Sequence, residues 1–341
     1  MKSSYDDDYI EMAHGSGGRA TAQLIDDLFI KAFNNTLLNE KNDAASFSTQ
    51  AGEMVITTDA HVISPLFFPG GNIGSLAIHG TVNDIAMAGG IPQYITCSFI
   101  LEEGFPLKEL KNIVDAMAQA AKEAEIKIVS GDTKVVEKGK GDGVFITTTG
   151  VGVKYDKARL SPLNIQEGDQ IIINGSLGDH GISILSLRDN LGFHTSLQSD
   201  SASLHQLTKT LLDNFAGNIH CLRDPTRGGI AATLNELAEQ SQQGMLLNEN
   251  ALPIKPEVKA ACELLGLDPL HIANEGKLVC FCDKDVANDI VKLMRKHPLG
   301  QEAAIIGEAV NDKHQLVELK TLYGGKRIVD WLHGDQLPRI C

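Results

Sequence analysis

Apolar residues along this chain alternate between two rhythms, one of period two and one of period 3.6. Residues 55–58 form a short β-branched run that ends at Asp59. Ile78, Val82, Ile85 and Ala86 then recur at i, i+4, i+7 and i+8, one face of a helix. Residues 94–101 predict a strand, and Leu110, Val114, Met117, Ala121 and Ala124 a second helical stripe. A strand follows at 126–130 (IKIVS), leading into a turn, GDTK, at 131–134. Residues 144–153 are a long strand rich in β-branched residues. The pattern lapses over 154–166, a polar stretch carrying Pro162, where a domain boundary is expected. It resumes with IIIN at 171–174, the loop GSLGDHG at 175–181 and a helix through Ile182 and Leu185. Further helical stripes run through Leu204, Leu207, Leu211 and Phe215, through Ile230, Leu234, Leu237 and Ala238, and through Val286, Ile290, Leu293 and Met294. Strands are expected at 278–282 and 303–306. The pattern divides the chain into an N-terminal domain (1–156), a C-terminal domain (157–331), both mixed α/β, and a tail (332–341).

Bulk composition narrows the function class. A length of 341 residues suits about two domains, and 43% apolar content is enough for ordinary cores. No apolar run approaches the ~18 residues of a membrane span. The start, MKSSYDDDYIEM, is acidic and has no apolar signal segment, so a cytoplasmic protein is expected. A formal charge of -14 argues against nucleic acid or an anionic membrane as the main partner. Any phosphate ligand would need local help from metal, Lys, Arg or backbone N–H groups. The six cysteines, at 97, 221, 262, 280, 282 and 341, form neither a disulfide framework nor paired zinc-binding motifs.

Three aspartates sit where elements end or turn. Asp59 follows a strand, Asp84 lies beside the apolar stripe of its helix, and Asp132 follows another strand. Carboxylates from separate elements can converge on Mg²⁺, which takes hard oxygen ligands and bridges carboxylates to nucleotide phosphates. Asp59 and Asp132 equally suit turns or helix caps, where Asp is favoured. The loop HGSGGR (14–19) can bring backbone N–H donors from Gly15, Gly17 and Gly18 close to phosphate, although it lacks the G-K-[ST] ending of a Walker A motif. Lys134, two residues after Asp132, suits phosphate contact or proton transfer as well as an ordinary surface position. RDPTRGG (223–229) suits anion contact or helix capping. Glu275 precedes a strand, as a base or a solvated carboxylate. The chain ends PRIC, with a thiol on its final residue, Cys341. Tails are mobile and exposed thiols oxidise, so such a residue is a liability unless it is used.

The set is more specific than its parts. HGSGG (14–18), TTDAH (57–61), GTVNDIAMAGG (80–90), GDTK (131–134), RDPTRGG (223–229) and ANEGKL (273–278) resemble the superfamily of aminoimidazole ribotide synthetase, selenophosphate synthetase and thiamine-phosphate kinase. LFFPGGNIG (66–74), HPLG (297–300), LYGGKR (322–327) and the terminal PRIC resemble its hydrogenase-maturation carbamoyl dehydratase family. The resemblance spans essentially the whole chain except residues 1–10.

That resemblance implies an α+β fold of two mixed α/β domains. The N-terminal sheet would join its partner's across a homodimer, and helices would cover a mixed C-terminal sheet. It implies ATP and Mg²⁺ as cofactors, a carbamoyltransferase partner that loads Cys341, and dehydration of the S-carboxamide to S-cyanide. A hydrogenase-maturation scaffold complex would accept the cyanide. Asp59, Asp84 and Asp132 would hold Mg²⁺, with Lys134 on phosphate or imidate. Glu275 would be the general base, and Gly15, Gly17 and Gly18 would close over the nucleotide. A selenophosphate synthetase-like rival would want a nucleophilic cysteine beside the glycine loop, where this chain has Glu11-Met12-Ala13-His14. A second rival is a non-enzymatic scaffold that carries metal or cyanide and has a regulatory ATP site, which would bind ATP without turnover.

Overall fold

Each predicted run of β-branched residues finds a place in one of two sheets. The computed structural model describes residues 8–42, 44–48, 51–187 and 196–331, so Cys341 and the rest of the tail lie outside the described residues. The N-terminal sheet contains β1 (Met54–His61), β2 (Gly90–Glu102), β3 (Lys127–Val136) and β4 (Val144–Lys154), in the order β1-β4-β2-β3. Helix α1 (Ile73–Met87) precedes β2, and α2 (Leu107–Glu123) makes the crossover between the parallel strands β2 and β3.

Alternation along the strands sorts residues between the two faces. Ile95, Cys97, Phe99 and Leu101 of β2 are buried, as are Ile78 and Val82 of α1 and Leu110, Val114 and Met117 of α2, all in one core. The other face carries Met54, Ile56, Ile91 and Ile100, and Ile56 is 72% exposed. Asn72 starts α1 by accepting from Gly74 N at 2.8 Å and from Ser75 N, which satisfies N–H groups that would otherwise be orphaned at the helix start. Apolar periodicity does not mark the extent of the helical stretch formed by Arg19–Leu24, Ile25–Ile30 and Lys31–Phe33, which starts directly after the glycine loop. It is held to the sheet by Phe29, whose ring centroid lies 4.9 Å from that of Phe99.

Among the described residues the C-terminal sheet has seven strands. In chain order they are β5 (Gln170–Ile173), β6 (Ile219–Arg223), β7 (Gly244–Asn248), β8 (Val279–Cys282), β9 (Ala304–Val310), β10 (Val317–Lys320) and β11 (Lys326–Ile328). Their spatial order is β11-β10-β7-β9-β5-β8-β6, antiparallel except for β10 with β7. Helices α3 (Asp179–Leu185), α4 (His205–Phe215), α5 (Gly229–Ser241), α6 (Pro256–Leu265) and α7 (Ala287–Met294) accompany it. One core contains Ile230, Leu234 and Leu237 of α5, and another contains Leu207 and Leu211 of α4 with Ile290 and Met294 of α7.

The two halves are packed into each other. Ala86 and Met87 of α1 belong to the core of α4 and α7, while Ile184 of α3 belongs to the N-terminal core. Two local expectations need correction. GDTK at 131–134 is not a turn but the middle of β3, because Gly131 to Lys134 pair in register with Cys97 to Ile100 of β2. Asp59 does not end its strand but lies inside β1, opposite Thr148.

Candidate functional site

Charged groups from several elements come within electrostatic reach of one another at the junction of the domains, beside a cleft. β1 supplies Asp59 and α1 supplies Asp84. The end of β6 supplies Arg223, the loop after it supplies Asp224 and Arg227, and the loop before β8 supplies Glu275. The cleft measures about 370 Å³ and is lined by Thr57, Asp84, Leu160, Arg223 and Asp224 among others. The RDPTRGG turn depends on its glycines. Gly229 has φ +62°, and a β-carbon there would fall 2.5 Å from Leu270 O, so a side chain would push the loop off its seat.

Electrostatics mark the cleft as an acid cluster. Thr57 Oγ1 donates to Asp84 Oδ2 at 2.8 Å. Asp84 is nevertheless raised above the usual carboxylate range, by burial and by the charge of Asp59, against the opposing pull of Arg223 and Arg227. Burial, with the charges of Asp84 and Asp59, pushes Asp224 up to about 7. Glu275 is raised well above its usual value by burial and by Asp200, Asp224 and Asp59. It is therefore not a solvated carboxylate, since only 5% of it is exposed. His61 stands between Asp59, at 3.6 Å, and Thr148, at 3.1 Å, and burial holds its pKa down. Carboxyls that raise one another's pKa in this way are short of positive charge.

Asp132 and Lys134 do not join that cluster within one chain. Asp132 pairs with Ser98 on the face of the sheet that α1 and α2 leave open, whereas Asp59 and Asp84 lie on the helix side. Between β1 and β3 stand β4 and β2, so the separation across the sheet is about 14 Å. Lys134 Nζ donates to both oxygens of Asp132 at 2.8 Å, and this hydrogen bond holds the carboxyl below its usual pKa. Both side chains are more than 60% exposed. The glycine loop stands beside this pair: Gly15 is pressed against β3, where a β-carbon would meet Val135 N at 2.5 Å. Gly17 and Gly18 follow at the start of the helical stretch from Arg19.

The structure thus brings Asp59, Asp84 and Glu275 together, and puts Gly15, Gly17, Gly18, Asp132 and Lys134 in a second group. Sequence reading passes over Asp224, although it sits inside the quoted RDPTRGG, because the arginines and the Gly pair there point to anion contact or helix capping. It also passed over Asn83, Asp200 and His61. Cys97, Cys221, Cys262, Cys280 and Cys282 are all buried, which excludes them as exposed nucleophiles. Asp169, His220 and Asp283 have candidate ligand atoms within 4.8 Å of one another. There His220 Nδ1 lies 2.7 Å from Asp169 Oδ2 and Asn218 donates to Asp283, bonds that fasten β5, β6 and the end of β8 together.

Comparison with known proteins gives this geometry a setting. Residues 41–154 match the N-terminal domain of AIR synthase related protein, and 166–320 match its C-terminal domain. The carbamoyl dehydratase HypE of Bradyrhizobium diazoefficiens is 58% identical over 332 residues, which is 97% of this chain and 96% of that protein. A crystal structure of the hydrogenase maturation protein HypE in complex with ATP is 45% identical with a TM-score of 0.93, covering 97% of this chain and 99% of that one. The matching chain in a crystal structure of a HypE–HypF complex is 47% identical with a TM-score of 0.80, covering 91% and 99%.

Proposed function

The chain belongs to the AIR synthase related family, in its HypE carbamoyl dehydratase branch, and from that premise we propose that its substrate is the S-carbamoyl group on its own Cys341. It is an ATP-dependent carbamoyl dehydratase of hydrogenase maturation. The reaction is RS–C(O)NH₂ + ATP → RS–C≡N + ADP + phosphate. The carbamoyl oxygen is a poor leaving group, so it first attacks the γ-phosphorus; ADP departs and nitrogen gives up one proton, leaving a phosphorylated imidate. Phosphate then leaves carbon as nitrogen gives up its remaining proton, forming the triple bond. The observation that carries this reading is Glu275, a buried carboxyl with raised proton affinity, within reach of an acid cluster and Arg227. Such a carboxyl is suited to take the nitrogen proton.

Asp59 and Asp84 suit Mg²⁺, with Asp224 alongside. They offer hard oxygens, and their mutual repulsion is relieved by a divalent cation. Bound there, Mg²⁺ would offset the charge on the phosphates during transfer. Arg223 and Arg227 add cationic donors to the same cleft. Lys134 contacts phosphate or the imidate, Asp132 orients Lys134, and Gly15, Gly17 and Gly18 close over the nucleotide. In this reading that second group reaches the acid cluster from another copy of the chain. The support is the uncovered sheet face with Met54, Ile56, Ile91 and Ile100, a surface that a homodimer would bury.

The tail answers how one thiol serves several stations. Residues 332–341 reach at most about 33–36 Å when extended. Cys341 would be loaded by a carbamoyltransferase partner, serve as the substrate of dehydration and pass its cyanide to an accepting scaffold; the related HypE–HypF complex supports a partner-dependent reaction. Tethering also raises the effective concentration of substrate.

The test follows the intact mass of the C-terminal peptide after loading by the carbamoyltransferase and addition of Mg²⁺ and ATP, with Cys341→Ala as control. Loss of one water from the carbamoylated peptide, with ADP and phosphate released, is expected. A loaded but unchanged peptide while ATP turns over would overturn the tail-substrate reading in favour of a small free substrate.

A further inference from the structure

Glu275 belongs to the C-terminal half, yet its chemistry is wanted beside Asp59 and Asp84 of the N-terminal half. A strap of chain, residues 196–204, runs between the halves and is bonded to both. Asp200 Oδ1 accepts the backbone N–H of Glu275 at 3.1 Å, and Asp200 Oδ2 accepts Lys277 Nζ at 2.8 Å. The side chains of this ion pair are only 5% and 9% exposed. On the other side of the strap, Asn83, the residue before Asp84, donates to Ala202 O at 3.0 Å and to Glu275 O at 3.2 Å, and accepts from Leu204 N at 2.7 Å. Both backbone polar groups of Glu275 are therefore held, one by Asp200 and one by Asn83. Gly276 is required by the same clamp, because a β-carbon there would fall 1.8 Å from Asp200 O.

We propose that Asp200, Lys277 and Asn83 are positioning residues that fix Glu275 against helix α1 and the acid cluster. This rests on the reading of Glu275 as general base. A buried ion pair is a poor source of stability compared with an apolar pair of similar size, so stability alone does not account for one here. Its geometry instead sets a backbone. The charge of Asp200 also acts on the Glu275 carboxyl directly, as do Asp224 and Arg227 from the β6–α5 loop and Asp59 from β1. Lys277 and, from α3, His180 face Asp200. A negative Asp200 disfavours ionised Glu275. Removing that charge lets Glu275 ionise at lower pH, so the rising limb of a base-dependent rate moves down in pH.

The experiment is single-turnover dehydration of the carbamoyl-loaded full-length protein at saturating Mg²⁺ and ATP over a pH series. Asp200→Asn keeps an acceptor for Glu275 N–H and removes the charge. Asp200→Asn with Lys277→Met removes both charges, so no unpaired ammonium stays buried. Both are expected to move the acid limb to lower pH. The double variant is expected to lose about 10- to 100-fold in rate with the KM for ATP nearly unchanged. Asn83→Ala is expected to lower the rate without moving the limb. Unchanged limbs and rates in Asp200→Asn and the double variant, both folded by thermal unfolding and ATP binding, would overturn the proposal. Retained turnover in Glu275→Gln would instead sink the general-base reading, so the two failures are distinguishable.

Discussion

The acid cluster and the Asp132–Lys134 pair are built from similar residues and differ in what surrounds them. In the cluster, Asp84, Asp224 and Glu275 are crowded, desolvated and raised in pKa. In the pair, one carboxylate meets one ammonium in the open, and its pKa falls. The first arrangement is set by packing between two domains and leaves its charge uncompensated. The second is locally satisfied and held by little besides its own strand. Uncompensated carboxyls call for a cation, whereas an exposed pair is free to exchange partners when a phosphate arrives. Neither region by itself holds all the groups that the dehydration chemistry wants, which makes their relation across two copies of the chain the point to test.

The largest expected effect comes from separating the two regions genetically. Asp84→Asn and Lys134→Ala are each expected to lower single-turnover dehydration by about 100-fold or more. If the regions combine in trans, an equal mixture of the two variants, unfolded and reassembled together, regains roughly a quarter of the wild-type rate, because half the dimers are hybrids with one intact site. No recovery in verified hybrid dimers would show that each chain works alone and that the two regions do not share one site.

A smaller effect concerns charge inside the cluster. Asp224 has a folded pKa of about 7 against an ordinary 3.8. Its contribution to stability is complete below the ordinary value and is lost as pH rises through the folded value. Metal-free Asp224→Asn is therefore expected to melt roughly 3–6 °C above wild type near pH 8, and level with it near pH 4. Adding Mg²⁺ should narrow the gap at the higher pH by stabilising the wild-type carboxylates. Thermal scans that show the same gap at both pH values would mean that Asp224 is not strained by its neighbours.

The smallest effect is expected in the exposed pair. Asp132→Asn removes an ion pair whose members are more than 60% exposed, worth about 0–1 kcal/mol and screened by salt. A Tm shift of no more than about 1–2 °C is expected. A larger loss would show that the pair holds structure, and would blur its contrast with the cluster.

Periodicity made much of the fold legible, and the misreadings have local causes. The stripe of Leu110, Val114 and Met117 became α2, and the β-branched run at 144–153 became β4, because burial on one face needs no distant information to be visible. GDTK misled because Gly and Asp favour turns, yet here the unpaired edge of β2 gave that backbone a partner, and pairing outweighed local preference. In the site, Asp59, Asp84 and Glu275 stood out by motif. The burial of Glu275 did not, because it comes from a strap 75 residues upstream and a helix 192 residues away. Asp224 was hidden by two arginines whose charges read more loudly in sequence.

The sequence by itself determined the two mixed α/β halves, the motifs that carry the family resemblance, and the terminal thiol, because each of these is written in residue type and short-range spacing. Only the tertiary structure decided which acids share a cleft. It carried Asp132 and Lys134 to the opposite face of a sheet from Asp59, and it drove Glu275 out of water. Side-chain direction on a strand, and desolvation by elements far away in the chain, are set by register and packing, and neither leaves a mark on the residue itself.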